Sequence, residues 1–215
     1  VSNLKLIMKK NKKIILITGA DGYVGRNLLK NFSTDKKYLL YALTKKNRKS
    51  TENINFVKGN LRADIFNKVK GIDIIIHCAS SGVYKKELKN DIFQTNYFDS
   101  LFFFNNAYKA KVFNWIILGT SGEYGFIKKG SMSTKTPLRP INDYGRSKLR
   151  NEIKLKKIKK MNFKYIILRP TTIYGPNSIE FYKFFKLNNI GLFPFRSNKK
   201  CIEYFYLEDL ITIIK

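Results

Sequence analysis

The stretch at residues 14–29, Ile-Ile-Leu-Ile-Thr-Gly-Ala-Asp-Gly-Tyr-Val-Gly-Arg-Asn-Leu-Leu, limits the possible folds more than any other part of the chain. Its opening residues are apolar and mostly β-branched, the pattern of a short strand covered on both faces. Glycines follow at 19, 22 and 25, and then a run that suits a helix. Gly19 can make a tight turn, Gly22 lets the backbone come close to a ligand, and Gly25 lets the helix pack against the strand. The free N–H groups that open such a helix attract an anion, so the unit reads as a phosphate cradle. Its spacing, Gly-x-x-Gly-x-x-Gly, is one residue longer than the common dinucleotide fingerprint, and the strand-turn-helix setting carries the reading. A glycine-rich turn without a ligand is the plainer alternative.

The rest of the chain alternates in the same way. Strands are expected at residues 38–44, 55–58, 72–78, 113–118 and 165–168, with helices at 22–32, 91–110 and 143–159. That alternation predicts an α/β fold with a doubly wound parallel sheet, whose ligands gather at the carboxyl ends of the strands. A domain is expected over residues 8–170, with a smaller part at 171–215. Met8 reads as a natural start. The chain stops at Lys215, inside a helix that begins near Leu207, so part of that helix's apolar face is expected to lack cover.

Composition narrows the class. Apolar residues make up 44% of the chain, in short runs, and no stretch approaches a membrane span. Lysines ahead of residues 14–17 mimic a signal peptide, but the apolar part is too short and runs into a glycine turn. Cys78 and Cys201 form no disulfide framework, which suits a reducing, cytoplasmic setting. The net charge of +27 would ordinarily point to nucleic acid. The lysines are spread over every segment, however, and the densest cluster (Lys154, Lys156, Lys157, Lys159, Lys160) shares a helix with Leu149, Ile153, Leu155 and Ile158. That is the solvated face of a packed helix, so neither a nucleic-acid partner nor a metal site is expected.

In Asp143-Tyr144-Gly145-Arg146-Ser147-Lys148, Tyr144 and Lys148 stand four apart and share a helix face. Tyrosine titrates near ~10, so proton transfer at neutral pH needs a neighbour that favours the phenolate, and a cation one turn away does that. Upstream, Gly119-Thr120-Ser121-Gly122-Glu123-Tyr124-Gly125 places hydroxyl groups at the end of an expected strand. His77, the single histidine, closes an apolar strand and reads as structural. Phe102, Phe103 and Phe104 read as core or as a helix-pair interface.

Together these segments resemble the extended branch of the short-chain dehydrogenase/reductase superfamily, the NAD-dependent epimerase/dehydratase family acting on nucleotide sugars. The resemblance extends to Leu168-Arg169-Pro170-Thr171-Thr172-Ile173-Tyr174-Gly175-Pro176 and to Tyr204-Phe205-Tyr206-Leu207-Glu208-Asp209. It implies a Rossmann-type domain and a C-terminal substrate-binding part that is truncated here. It also implies Tyr144 as acid/base, Lys148 as the group that holds the nicotinamide ribose and favours the phenolate, and Thr120, with Ser121 as its backup, bonding the reacting hydroxyl. By the same resemblance the cofactor lies against Gly19, Asp21, Gly22, Tyr23, Val24, Gly25, Thr44, Lys45, Asn60, Leu61, Ala79, Ser80, Asn96, Lys148 and Pro170. The sugar nucleotide meets Ser121, Gly122, Tyr144 and Thr172. A homodimer built on paired helices is a further implication.

The departures from that pattern shape the expected function. Ser121 and Gly122 stand where dehydratases carry an acidic pair, Thr172 replaces an asparagine, and Ile202 replaces an arginine. The expectation is an NAD(P)-dependent nucleotide-sugar epimerase or reductase. The alternatives are a catalytically impaired NAD(P)-binding protein or, behind that, a dehydratase. Residues 42–48 end the second strand with no acid and with Lys45, Lys46 and Arg48. An acid there would bond the ribose 2′-hydroxyl and repel a 2′-phosphate, so NADP is preferred over NAD.

Overall fold

The computed structural model describes residues 12–82, 88–127, 131–158, 163–189 and 203–215; Met8, Lys159, Lys160, Cys201 and Ile202 lie outside the described residues. The chain divides into two compact units, residues 1–169 and 170–215.

In the first unit six strands form one sheet: β1 (Lys13–Thr18), β2 (Tyr38–Thr44), β3 (Ile54–Lys58), β4 (Ile74–His77), β5 (Asn114–Leu118) and β6 (Lys164–Leu168). Their order is β3-β2-β1-β4-β5-β6, and every neighbouring pair is parallel. This is the doubly wound arrangement, with the order reversing between β1 and β4. Thr18 pairs with Leu43 on one side and His77 on the other, so the switch point lies where the glycine turn begins. Ile15, Leu16 and Ile17 are fully buried, as a strand covered on both faces requires. The expected fourth strand is shorter than its apolar run: Ile72 is buried but lies outside the ladder.

Helix α1 (Tyr23–Phe32) buries Gly25, Leu28, Leu29 and Phe32, a stripe at spacings of three and four. A short α2 (Ile65–Lys68) precedes β4. The long helix expected at 91–110 has three parts: α3 (Lys89–Phe93), a π-helical segment (Gln94–Asp99) and α4 (Ser100–Lys109). Lys111, at φ 60°, takes the left-handed conformation that ends it. The phenylalanine run splits: Phe103 and Phe104 are buried, whereas Phe102 is 41% exposed. Phe104 lies 5.1 Å and Phe163 4.5 Å from the Trp115 ring, whose N–H donates to the Val112 carbonyl. Removing a ring from such a site costs about 3–5 kcal/mol. Helix α5 (Asp143–Ile158) follows, ahead of β6.

The second unit pairs β7 (Thr172–Tyr174) with β8 (Tyr204–Tyr206) in parallel and adds α6 (Ile179–Asn189) and α7 (Leu207–Ile214). Tyr174 lies 5.4 Å from Phe181 and 5.3 Å from Tyr206. The expectation that part of the α7 apolar face lacks cover fails: Leu207, Leu210, Ile211 and Ile214 are buried and only Ile213 stands out.

Candidate active site

The glycine turn has the geometry of a cradle. Gly19 sits at φ +68°, and a Cβ there would lie 2.6 Å from the Ala79 nitrogen. A Cβ on Gly25 would lie 2.3 Å from the Gly19 carbonyl oxygen, so neither position tolerates a side chain. The Gly22 N–H closes the turn by donating to the Gly19 carbonyl at 2.9 Å. Gly22 caps α1 without a side-chain acceptor, and a Cβ there would touch only the Gly19 oxygen at 3.2 Å, leaving its outer side open. Tyr23 and Val24 open the helix. An open backbone surface at an uncapped helix N-terminus fits a dinucleotide pyrophosphate.

Asp21 ties this turn to the end of β2. Its carboxylate accepts from the Thr44 hydroxyl and pairs with Arg48 at 2.9 Å. Burial pushes the Asp21 carboxyl up, but the Thr44 hydrogen bond and the Arg48 charge outweigh it and hold it below the usual carboxylate range. Arg48 also lies over the Phe56 ring. Lys45 is exposed beside them. The Asn60 side chain accepts from the Arg62 N–H at 2.9 Å, shaping the turn after β3, and the Leu61 side chain is in the core.

After β4, the Ala79 N–H donates to the Thr18 hydroxyl, and the Ser80 hydroxyl lies 3.5 Å from the Tyr144 hydroxyl. Asn96, on the π-helical segment, is buried. Its carbonyl accepts from the Ser81 N–H, and its amide donates to the Ser81 carbonyl and the Ser147 hydroxyl. The amide that the resemblance directed at the cofactor thus clamps the loop after β4 onto α5.

Tyr144 and Lys148 lie on the first turns of α5. The Lys148 Nζ is buried and donates to the Leu118 carbonyl, 3.0 Å away at the end of β5. Burial holds its ammonium down to about 8 against the pull of Glu123 and Cys78. Thr120 caps a short 3₁₀ turn (Ser121–Glu123): its hydroxyl oxygen accepts from the Gly122 N–H at 3.1 Å, leaving the hydroxyl hydrogen to donate outward. A Cβ on Gly145 would lie 2.6 Å from the Gly122 carbonyl oxygen. Helix α5 therefore rests directly on this turn, and Tyr144, Lys148, Thr120, Ser121 and Gly122 converge at the carboxyl end of β5.

His77 is buried, with ring nitrogens 2.9 Å from the Thr18 hydroxyl and 3.2 Å from the Ser100 hydroxyl. Burial, with Lys148 nearby, pushes it down to about 3, so it stays neutral and structural. Pro170 and Thr172 belong to the second unit, where Thr172 opens β7 on an exposed position.

The sequence reading left out a buried ion cluster beneath this site. Arg169 donates from Nε to both Glu123 and Glu152 at 3.1 Å, from Nη2 to Glu152, and from Nη1 to the Tyr124 hydroxyl at 3.0 Å. Thr120-x-x-Glu123 has the Thr-x-x-Glu form of a capping box, a signal present in the sequence.

A doubly wound sheet with a glycine cradle and a Tyr-x-x-x-Lys helix at its switch edge defines a nucleotide-cofactor enzyme of the short-chain dehydrogenase type. The profile of the NAD dependent epimerase/dehydratase family matches residues 15–190, and the chain belongs to that family of enzymes. A similar protein is the uncharacterized UDP-glucose epimerase YtcB of Bacillus subtilis (strain 168), 28% identical over 92% of this chain and 70% of the relative. The UDP-glucose 4-epimerase of Vibrio cholerae is 25% identical over 78% of this chain and 54% of the enzyme. Among solved structures, the UDP-glucuronic acid 4-epimerase of Bacillus cereus in complex with UDP-glucuronic acid and NAD shares the fold at TM-score 0.80, with 22% identity over 92% of this chain and 70% of that one. MoeE5 in complex with UDP-glucuronic acid and NAD shares it at TM-score 0.80, with 19% identity over 93% of this chain and 70% of that one. Among the described residues no helix is long and apolar enough to cross a membrane.

Proposed function

We propose that this chain carries the cofactor domain and part of the substrate-binding region of an NAD(P)-dependent nucleotide-sugar epimerase or reductase. Residues 8–170 form the first and residues 171–215 belong to the second. The observation that carries this reading is the Lys148–Leu118 hydrogen bond, which seats the Tyr144 helix against the end of the strand that leads into Thr120. When bound, NAD(P) supplies reversible hydride acceptance at a sugar carbon. Tyr144 takes the proton from the hydroxyl on that carbon, Lys148 favours the phenolate that receives it, and Thr120 hydrogen-bonds the same hydroxyl. Ser121, Gly122 and Thr172 are assigned to the sugar nucleotide. Gly19, Gly22, Gly25, Tyr23, Val24, Ala79 and Ser80 hold the cofactor, with Pro170 after them.

Lys45 and Lys46 carry a preference for NADP, and Asp21 counters it by engaging Arg48. The absence of an acidic pair after Thr120 favours epimerase or reductase over dehydratase. A cytoplasmic setting and a homodimer complete the reading. The test is incubation of the purified chain with NAD or NADP and UDP- or dTDP-sugars, beside Tyr144→Phe. Turnover by the parent that falls about 10²-fold in the variant, with cofactor affinity kept, is the expected result. Cofactor binding without turnover of any sugar nucleotide would favour the impaired binding protein instead.

A further inference from the structure

We propose that Glu123 is a positioning residue for Thr120, acting through a proton that it shares with Glu152 on Arg169. This rests on the assignment of Thr120 to the reacting hydroxyl. Glu123 is fully buried, and each of its oxygens has a separate task. Oε1 accepts from the Thr120 N–H at 3.1 Å, and Oε2 accepts from Arg169 Nε at 3.1 Å. The carboxyl folds so tightly under the strand end that a Cβ on Gly119 would lie 2.8 Å from Oε1. With the Thr120 hydroxyl accepting from the Gly122 N–H, the turn is held at both its backbone and its side chain, which fixes the position of the hydroxyl oxygen.

The proton follows from the geometry of Arg169. One N–H, at Nε, points at an oxygen of Glu123 and at an oxygen of Glu152, both at 3.1 Å, so the two carboxyl oxygens are crowded together. Two buried carboxylates in that relation repel unless one holds a proton between them. The charged and titratable groups around Glu123 are Glu152 and Lys148 from α5, Arg169 after β6, and Tyr124 beside it; Lys156 reaches Glu152 from the solvent side at 2.6 Å. Burial and the facing Glu152 push the Glu123 carboxyl up to about 7, against the opposing pull of Arg169. The proton therefore leaves within the neutral range. Its departure puts a second negative charge beneath Thr120, which strengthens the Thr120 N–H bond to Glu123 while setting the two carboxylates against each other across Arg169.

Two variants and two readouts decide this. Glu123→Gln keeps the acceptor for Thr120 and a fixed hydrogen toward Glu152 but gives up the acceptor for Arg169, whose Nε–H still has Glu152; Glu123→Ala removes all three. The expected result is a kcat about tenfold or more lower in Glu123→Ala with cofactor Kd within twofold, and a kcat within about threefold of the parent in Glu123→Gln. In 15N-labelled protein the Thr120 amide resonance should titrate with a midpoint near neutrality in the parent and stay flat between pH 5 and 8 in Glu123→Gln. A parent amide that does not titrate, or equal losses of kcat in both variants, overturns the proposal. The amide titration needs no substrate. If no sugar nucleotide turns over but Thr120 titrates as described, the functional assignment fails while the shared proton stands.

Discussion

The Lys148 ammonium and the Leu118 carbonyl oxygen meet 3.0 Å apart inside the fold, joining the helix that bears Tyr144 to the strand that leads to Thr120. Because burial brings this ammonium down to about 8, its charge is present at neutral pH and is lost as the pH rises through 8. The charge that favours the Tyr144 phenolate is therefore withdrawn above that point. The rate of the parent should level or fall above about pH 8. Lys148→Ala should bind NAD(P) more weakly and need a higher pH before activity rises. Initial-rate profiles from pH 6 to 10, with cofactor titrations at each end, measure both effects.

Thr120 and Ser121 are adjacent hydroxyls, and only Thr120 caps the turn. Thr120→Val keeps the shape of the side chain but loses both the acceptor for Gly122 and the donor for the substrate, so kcat should drop at least tenfold with cofactor Kd unchanged. Ser121→Ala should have the smaller effect. The reverse ranking in steady-state kinetics would move the reacting hydroxyl to Ser121.

Asp21 neutralises Arg48 beside the end of β2. Asp21→Asn removes that charge, keeps an acceptor for Thr44 and frees the guanidinium. The ratio of NADP to NAD affinity should rise about tenfold, in the direction set by an added cation and a lost anion. Calorimetric Kd values for both cofactors at 0.15 M salt test it, and an unchanged ratio would show that the ribose end lies away from this corner.

Two buried groups should work against each other in the response of stability to pH. His77 is held down to about 3, so the unfolded chain binds its proton more readily and stability is lost as the pH falls below 6.5. Glu123 is held up to about 7, so its contribution is full below the unfolded value near 4.5 and is lost as the pH rises toward 7. At about 1.4 kcal/mol per unit the two slopes nearly cancel between pH 5 and 7. Urea midpoints should therefore change little in the parent over that range. They should fall toward pH 5 in Glu123→Gln and rise toward pH 5 in His77→Gln.

The sheet was legible because most strands are apolar runs ended by turn residues, and the cradle because Gly19 and Gly25 stand where a side chain does not fit. Tyr144 and Lys148 were legible from a spacing that any helix enforces. The π-helical segment was not, and the bonds that Asn96 makes from it reach Ser81 and Ser147, residues outside any local pattern. Those bonds were equally out of reach of the sequence, because they link residues on separate segments. The Glu123–Arg169–Glu152 cluster joins three separate elements, and no local pattern encodes such a meeting beyond the capping box at Thr120. β7 and β8 are three residues each, too short to stand out from loop, and α6 between them scatters its apolar residues, Ile179, Tyr182, Phe185 and Leu187 among them exposed, instead of gathering them on one face.

The close approach of Gly19 to the Cys78–Ala79 backbone makes the cradle a joint product of two segments distant in the chain. Its floor comes from the residues that follow β4, so the shape of the turn depends on the pairing of β4 with β1. Dinucleotide affinity is then a gauge of long-range assembly, and a bound cofactor would stabilise the whole sheet by mass action rather than only the loop it touches.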